Sequence, residues 1–499
     1  MRCIFILFSV IFSSAMAEIS LPSMFSNGMI IQADSSVPVW GKAPAYEKVE
    51  IKGSWMGMAK MTRADSEGEW KTNIKTPEAS RDTLELTVTT GAGEFKAIKN
   101  VLAGEVWLCC GDENMQMPVS MAMNAEAEIE NADRPEIRFF TPPESISAAP
   151  KEEVAGKWKA ANRMNTGSFS AAAYYFADHL FDQLRRPVGI ISATCASSSA
   201  EAWISKETIT SSRKMLDVVK KYPKLEDYGR KKIEFSEEFK QWLETEEGQR
   251  PTEPSYLDYT DLPSATYNST LSPLAPYRIK GAFFFQADAN LQRAYQYRFI
   301  LGLLIEDWRE KWDVPQLPVY AVQPQIDGYS DEKLKFMPEF WESQIDVTQK
   351  YQNTAPIVCY DVDKDNRQEL GRRFSVTALA YNYGLPDTPH KGPTYVRKRI
   401  EGNELRIFFD NVGRGLTTQS FGAVEGFEIA GIDRVYHPAN AIIERNTILL
   451  SAPEVEQPVA ARYGWNLTSE NEKLPNLENR YDYPAQPFRT SRWKYITRD

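Results

Sequence analysis

Histidine is nearly absent from this chain, which has 499 residues and only three histidines, His179, His390 and His437. Histidine is the side chain whose ordinary pKa suits proton transfer near pH 7, so its scarcity limits any histidine-dependent mechanism. Cysteine is also rare, with five residues. A chain of this size with so few cysteines is not built on a disulfide framework, and their spacing does not match a zinc site.

Two further absences exclude classes of partner. The chain has 58 basic and 68 acidic residues, a net charge of −10, and the two signs are well mixed. No basic face for nucleic acid is therefore expected. After residue 17, no segment reaches 18 uninterrupted apolar residues, so no membrane insertion is expected there. The sequence leaves the oligomeric state open.

The first 17 residues, MRCIFILFSVIFSSAMA, have the features of a targeting segment. They contain an early arginine, an apolar run of about ten residues and an A-x-A ending at Ala17. The apolar run is too short to span a bilayer. The sequence therefore predicts a signal peptide over residues 1–17 and an exported protein, periplasmic or extracellular.

The remaining chain is too long for a single core, and its pattern changes twice. Residues 18–98 alternate as strands do, with turn signals every eight to twelve residues, which predicts a small β-sandwich-like domain. Residues 99–385 alternate apolar strands with helices, which predicts an α/β domain with a parallel sheet and a charged helical insertion at about 206–250. Strands return over 386–499, which predicts a C-terminal β-domain.

Four loops follow the strands of the predicted parallel sheet. They are GDEN (111–114), TCASSSAEAW (194–203), ADAN (287–290) and DVDKDN (361–366). Each is rich in small or acidic residues. Ligands of parallel sheets bind at the carboxyl ends of the strands, so these loops are where a site is expected.

These loops lie within blocks that resemble a known family. The blocks are LPSMFSNGMIIQADSSVPVWGKA, LAGEVWLC, FSAAAYYFA, RPVGIISATCASSSAEAWIS, LSPLAPYRIKGAFFFQADAN, NRQELGRR, EGFEIAG, QPVAARYGW and PAQPFRTS. In this order, and nearly end to end after residue 17, the chain resembles the sialate O-acetylesterase family of SGNH-type hydrolases. The resemblance implies an SGNH-type three-layer α/β/α domain flanked by N- and C-terminal β-sandwich-like domains, and a glycan as ligand.

The resemblance breaks at the family's catalytic positions. The family's first loop reads GQSNM with a nucleophilic serine, where this chain has Glu113. The glycines of the family's second loop are replaced by Ala196 and Ser197. The third block keeps its glutamine and asparagine but has an aspartate in place of glutamate. The last block, DIHP in the family, matches with an aspartate at the histidine position, although a shortened loop is an alternative alignment, and either alignment leaves no histidine.

Acyl transfer by serine needs a hydroxyl, a base with a pKa near 7 and donors for the oxyanion, so a serine esterase of the family's kind is not expected. Several carboxylates are instead expected to converge, the arrangement that glycoside hydrolases use. The sequence thus predicts a glycan hydrolase, directed at sialoglycans or mucin. Two alternatives stay open: a glycan-binding pseudo-esterase without chemistry, and residual carbohydrate O-acetylesterase activity. The predicted catalytic residues are Glu113, Asp288, Asp361 and Asp363, and the predicted substrate-binding residues are Asp112, Asn114, Ser197, Gln286 and Asn290. No cofactor or metal is predicted, although a carboxylate cluster could also bind a divalent cation such as calcium.

Overall fold

The structure, a computed structural model, describes residues 18–219, 225–245, 248–254, 259–419, 422–469 and 474–498. The predicted signal peptide, residues 1–17, lies outside the described residues, as does part of the predicted insertion at 206–250.

The strands, in chain order, are β1 Ile30–Gln32, β2 Ser36–Lys42, β3 Lys48–Gly53, β4 Lys60–Arg63, β5 Glu69–Lys75, β6 Ser80–Thr90, β7 Phe95–Gly111, β8 Asp133–Phe140, β9 Trp158–Asn162, β10 Val188–Thr194, β11 Gly281–Phe285, β12 Val319–Val322, β13 Thr354–Ile357, β14 Thr394–Glu401, β15 Glu404–Asp410, β16 Leu416–Thr418, β17 Phe427–Ala430, β18 Tyr436–Pro438, β19 Asn440–Glu444, β20 Thr447–Ser451, β21 Ala460–Tyr463, β22 Leu477–Asn479, β23 Tyr483–Pro484 and β24 Phe488–Arg489. The helices are α1 Glu113–Gln116, α2 Ala125–Asn131, α3 Ala171–Leu184, α4 Lys206–Ser211, α5 Arg213–Val219, α6 Leu225–Thr245, α7 Ser272–Leu274, α8 Ala294–Lys311, α9 Asp331–Leu334, α10 Met337–Lys350 and α11 Arg367–Asn382.

A large sheet forms the centre of the molecule, with the strand order β13-β12-β11-β7-β10-β8-β9. Its neighbouring strands pair in parallel, except for the antiparallel pair of β8 and β9. The parallel sheet predicted from alternating strands and helices is confirmed. Helices α4, α5 and α6 lie between β10 and β11 in the chain, where the charged insertion was predicted.

Both faces of the central sheet are covered, which explains why its strands are continuously apolar. Alternate residues of β7 enter different cores because successive side chains of a strand point to opposite faces. Trp107 packs in the core that contains residues of α3 and α11. Leu108 packs in the core that contains residues of α8 and α10. The same alternation separates Phe283 from Phe284 in β11.

Strand β7 also links the central sheet to the N-terminal strands. Its first half pairs with β6 and β1, and its second half pairs with β10 and β11. The predicted domain boundary between residues 98 and 99 falls inside this strand. The division of the chain into domains itself stays a prediction.

The C-terminal strands form three antiparallel sheets, ordered β14-β15-β20-β19, β16-β22-β23 and β18-β17-β21-β24. They share one hydrophobic core, which includes Ile407, Ile429 and Tyr463. Among the described residues, none of the helices combines the length and the apolarity that a membrane span requires.

Candidate active site

The order of the central strands places the loops of interest side by side. On one side of β7 lie β10 and then β8, and on the other side lie β11, β12 and β13. In an open parallel sheet, the loops at such a reversal point diverge and leave a crevice at the carboxyl ends of the strands. All four predicted loops leave the sheet at that edge.

A sharp turn at the end of β7 starts the site. Gly111 has φ +145°, and a Cβ at this position would lie 1.9 Å from the backbone oxygen of Phe285. A side chain cannot fit there, so the close approach of β7 to β11 requires glycine. The next residue, Asp112, is 1% exposed and its side chain caps α1.

The carboxylate of Asp112 is held by three donors. Its Oδ1 accepts hydrogen bonds from the backbone N (3.0 Å) and the Nδ2 (2.9 Å) of Asn114, and its Oδ2 accepts from the backbone N of Ala287 (2.8 Å). Burial, and then the charge of Glu113, raise the pKa of Asp112 to about 7, against the opposing effect of these hydrogen bonds. Asp112 and Asn114 therefore tie the β7 loop to the β11 loop and hold the turn in place.

Glu113 is exposed, and its carboxylate reaches the loop after β10. Its Oε2 accepts a hydrogen bond of 3.0 Å from the backbone N of Ser197. The neighbouring amide, the backbone N of Ala196, donates to Oε1 of Glu144 at 2.8 Å. Two consecutive backbone N–H groups thus point into the site, and each binds a carboxylate oxygen.

Glu113 lies on the wall of an open cleft of about 1310 Å³. Its lining combines acidic residues with methionines. Asp363 lines the same cleft, so the structure brings together two of the four predicted catalytic carboxylates. The lining residues are Glu113, Gln116, Met117, Pro118, Ser120, Met121, Met164, Gly167, Ser168, Asp327, Asp363, Lys364 and Asp365.

The other two predicted catalytic carboxylates are engaged in ion pairs. Asp361 makes a bidentate pair with Arg373, with Oδ1–Nη1 at 2.6 Å and Oδ2–Nη2 at 2.7 Å. The side chains of the pair are 8% and 6% exposed. Asp288 binds the Nζ of Lys333 at 2.6 Å in a more exposed pair. Neither residue is among those that line the cleft, so these contacts favour a structural role.

The two amides retained from the family pattern face inward. Asn290 is fully buried; its Oδ1 accepts from the backbone N of Ala200 and from Nε2 of Gln286, and its Nδ2 donates to Glu201. Gln286 also donates to the backbone oxygen of Ser198 at 3.3 Å. Through these hydrogen bonds, the two side-chain amides connect the β10 loop with the β11 loop, and neither of them lines the cleft.

Three residues near the site were missed by the sequence reasoning. Glu144 lies on the loop after β8 and Tyr329 on the loop after β12. Both loops follow a strand of the parallel sheet in the sequence, and this feature could have been used to predict them. Burial raises the pKa of Tyr329, and the nearby charges of Asp288 and Asp112 raise it further. Arg367 begins α11, is fully buried, and donates to Sδ of Met117 and Oε1 of Gln325.

The histidines play no part in these contacts, and the described cysteines are buried. His179 contacts Ser375 of α11 through Nδ1, and His390 contacts the backbone oxygen of Thr388. The cysteines in the described part of the chain are Cys109, Cys110, Cys195 and Cys359; all four are buried and carry no disulfide. No group of three or more His, Cys, Asp or Glu side chains among the described residues is arranged to hold a metal ion.

Comparisons with known proteins agree on one relationship. No protein-family model matches the sequence. Sialate O-acetylesterase from Mus musculus is 26% identical, over 76% of each chain, and the Homo sapiens protein is 23% identical, over 74% of this chain and 72% of its own. A crystal structure of a carbohydrate acetylesterase from Xanthomonas citri is 28% identical and superposes with a TM-score of 0.80, over 95% of this chain and 100% of that one.

The similarity in sequence extends over about three quarters of the chain and the similarity in structure over nearly all of it, while Glu113 stands where the family resemblance expects a serine. This chain is therefore similar to the sialate O-acetylesterases along most of its length, and the resemblance predicts substitutions at the positions of the family's catalytic serine and histidine.

Proposed function

We propose that this protein is a carbohydrate O-acetylesterase in which Glu113 replaces the nucleophilic serine and activates water. The observation that carries the proposal is the position of Glu113. Its carboxylate is exposed in the cleft and lies within 3.0 Å of the backbone N of Ser197, a donor of the kind that an oxyanion needs.

In the proposed reaction, the carboxylate of Glu113 takes a proton from a water molecule, and the oxygen of that water attacks the acetyl carbonyl carbon. The tetrahedral intermediate then collapses, the bond to the sugar oxygen breaks, and protonated Glu113 returns the proton to that oxygen. The products are the free sugar hydroxyl and acetic acid, which releases its proton to the solvent as acetate. No acyl-enzyme forms.

In this mechanism, the hydrogen bond between Glu113 and Ser197 couples proton transfer to stabilisation of the oxyanion. A hydrogen bond to a charged carboxylate is roughly twice as strong as one to a neutral acceptor. When Glu113 takes the proton, its hold on the Ser197 N–H weakens. That N–H becomes free to bind the oxyanion at the step where negative charge develops on the carbonyl oxygen.

The glycoside hydrolase hypothesis receives less support. It pairs Glu113 with Asp288 or Asp361, and both of these partners are held by basic side chains. The relatives are named as acetylesterases, which favours an ester as the substrate. Of the four predicted catalytic carboxylates, Glu113 and Asp363 are the two that line the cleft, so they are the predicted pair that glycosidase chemistry could still use.

Glycan binding without chemistry is the second candidate, and a separate observation favours it. The amides of Ala196 and Ser197 are both occupied by carboxylates, Glu144 and Glu113. In addition, the residues that line the described cleft include no histidine. With both amides occupied, neither is available to stabilise an oxyanion, so the cleft could hold an acetylated sugar and leave the ester intact.

We also propose the finer architecture and location implied by the resemblance: an SGNH-type three-layer α/β/α domain over residues 99–385, β-domains over 18–98 and 386–499, and export directed by residues 1–17. The helices that contribute to the cores on both faces of the central sheet support the layered arrangement. Expression of the full chain with a C-terminal tag, followed by cell fractionation and N-terminal sequencing of the product, tests the export.

The function is tested by acetate release. Purified protein is incubated with O-acetylated oligosaccharides and with O-acetylated sialic acid, and acetate is followed by NMR. We expect slow release that Glu113→Gln abolishes and that Asp288→Asn, a matched removal of a carboxylate outside the cleft lining, leaves within about threefold. No acetate from any substrate, with retained glycan binding, would instead establish the second candidate.

Isotopic labelling can detect an attack by Glu113 itself on the acetyl carbon. A single turnover in ¹⁸O-labelled water should place the label in acetate, because water forms the new bond to the acetyl carbon. Label in the Glu113 side chain, located by peptide mass spectrometry, would show a covalent anhydride intermediate and contradict the mechanism.

A further inference from the structure

We infer that the Glu113 cleft selects uncharged acetylated sugars and rejects those that carry a carboxylate, including sialic acids. The inference deepens the proposed function and rests on it for the acetyl ester. It follows from the charges and the apolar groups that line the cleft.

The charged groups of the cleft are mostly of one sign. Asp327, Asp363 and Asp365 line it together with Glu113, and Lys364 is the one basic residue among the described lining. The formal charge is therefore −3. Gln116, which also lines the cleft, donates at 3.3 Å to Glu144, so a fifth carboxylate lies directly behind the wall.

The basic groups near the cleft are either buried or already held by carboxylates. Lys333 is paired with Asp288 at 2.6 Å. Arg367 is fully buried, and two carboxylates act on it electrostatically, Asp112 and the cleft residue Asp365. The Arg373 guanidinium is held by Asp361 and Glu369. A ligand carboxylate would thus enter a cleft without a free guanidinium among its described lining residues, although a guanidinium is the group that binds carboxylates best.

The cleft also offers contacts that need no charge. Met117, Pro118, Met121 and Met164 line it, and Met121 and Met164 are 67% and 91% exposed. Methionine is flexible and polarisable, so it can pack against surfaces of variable shape. The apolar face of a pyranose ring and the methyl group of an acetyl ester are such surfaces, and the carboxylate oxygens of the cleft can accept hydrogen bonds from sugar hydroxyls.

Screening sets the size of the effect. A unit charge at roughly 8 Å in water interacts with each lining charge weakly, but three net charges together disfavour a monoanion by about tenfold in Kd at low salt. The Debye length falls from about 30 Å at 0.01 M to about 3 Å at 1 M ionic strength, so the discrimination should fade as salt is added.

The test uses two ligands that differ only at C6, an acetamido analogue of an acetylated glucoside and that of the matching glucuronide. The amide is not hydrolysed, so titration calorimetry measures binding separately from chemistry. We expect the glucuronide to bind about tenfold more weakly in 10 mM salt and within about twofold in 1 M salt. Replacing Asp363→Asn and Asp365→Asn should cut the low-salt ratio to about threefold. The matched control, Asp387→Asn with Asp410→Asn on exposed sites outside the cleft, should leave it at about tenfold.

Equal or tighter binding of the glucuronide at low salt overturns the inference, and so does failure of both analogues to bind. If the protein binds the glucoside analogue more tightly but releases no acetate from the corresponding ester, the selection by charge is supported and the proposed chemistry is wrong. Acetate release from O-acetylated sialic acid at the rate of a neutral ester upholds the chemistry and overturns the selection.

Discussion

Replacing Asp361 with asparagine should destabilise the protein strongly, because the carboxylate neutralises a buried arginine. Both carboxylate oxygens bind Arg373, at 2.6 and 2.7 Å, in a pair whose side chains are less than a tenth exposed. Asparagine keeps the shape but removes the charge and turns one N–H toward the guanidinium. Arg373 would then be left with Glu369 and the backbone oxygen of Val358.

Breaking a buried pair by removing one partner costs about 3 to 5 kcal/mol. Because Glu369 still compensates part of the arginine charge, the lower end, about 3 kcal/mol, is expected for Asp361→Asn. This corresponds to roughly a 150-fold change in the folding equilibrium constant. The double replacement Asp361→Leu with Arg373→Met should cost less than the single one, because no buried charge is left unpaired.

Urea unfolding followed by tryptophan fluorescence measures these free energies. Asp288→Asn is the matched control, since its pair with Lys333 is 29% and 46% exposed and such pairs contribute about 1 kcal/mol or less. The reasoning would be refuted if Asp361→Asn unfolded within 1 kcal/mol of the unsubstituted protein and yet lost acetate release. That result would return Asp361 to the catalytic role predicted from the sequence.

Two further predictions concern the turn after β7. Because the pKa of Asp112 is raised, its carboxyl group keeps a proton in the folded state from about pH 4 to about pH 7, whereas the unfolded state releases this proton. The free energy of unfolding should therefore fall by roughly 4 kcal/mol as the pH rises through this window. Glu113→Gln should make this pH dependence shallower in urea titrations at about pH 5 and about pH 7.5, and an unchanged pH dependence would contradict the prediction. Gly111→Ala should destabilise the fold by several kcal/mol, since its Cβ would lie 1.9 Å from the Phe285 oxygen, and a variant with unchanged thermal unfolding would show that β7 and β11 can separate there.

The parallel sheet and the positions of its loops could be predicted because they depend on local pattern. Apolar runs such as VWLCC and AFFFQ, each followed by small and acidic residues, indicate buried strands whose loops meet at one edge. The structure confirms the parallel pairing, and Glu113 and Asp363 do line one cleft. The resemblance to sialate O-acetylesterases is confirmed by the comparisons with known proteins.

The glycoside hydrolase hypothesis was inferred from residue type, which does not show whether a carboxylate is free to react. It treated every strand-end carboxylate as available, whereas the availability of a carboxylate depends on its neighbours in space. Asp361 is paired with a residue 12 positions away and Asp288 with one 45 positions away. No periodicity or spacing in the sequence indicates either pairing.

By itself, the sequence determined which groups are present: carboxylates at the ends of buried strands, a missing serine and a missing histidine. These follow from residue identity and from the two-residue period of strands, which act over short distances along the chain. Only the tertiary structure decided which carboxylates face the cleft, which are neutralised by arginine or lysine, and that Glu113 reaches the amide of Ser197. The physical reason is that hydrogen bonds and ion pairs depend on distances of about 3 Å between residues far apart in the chain, and packing alone sets those distances.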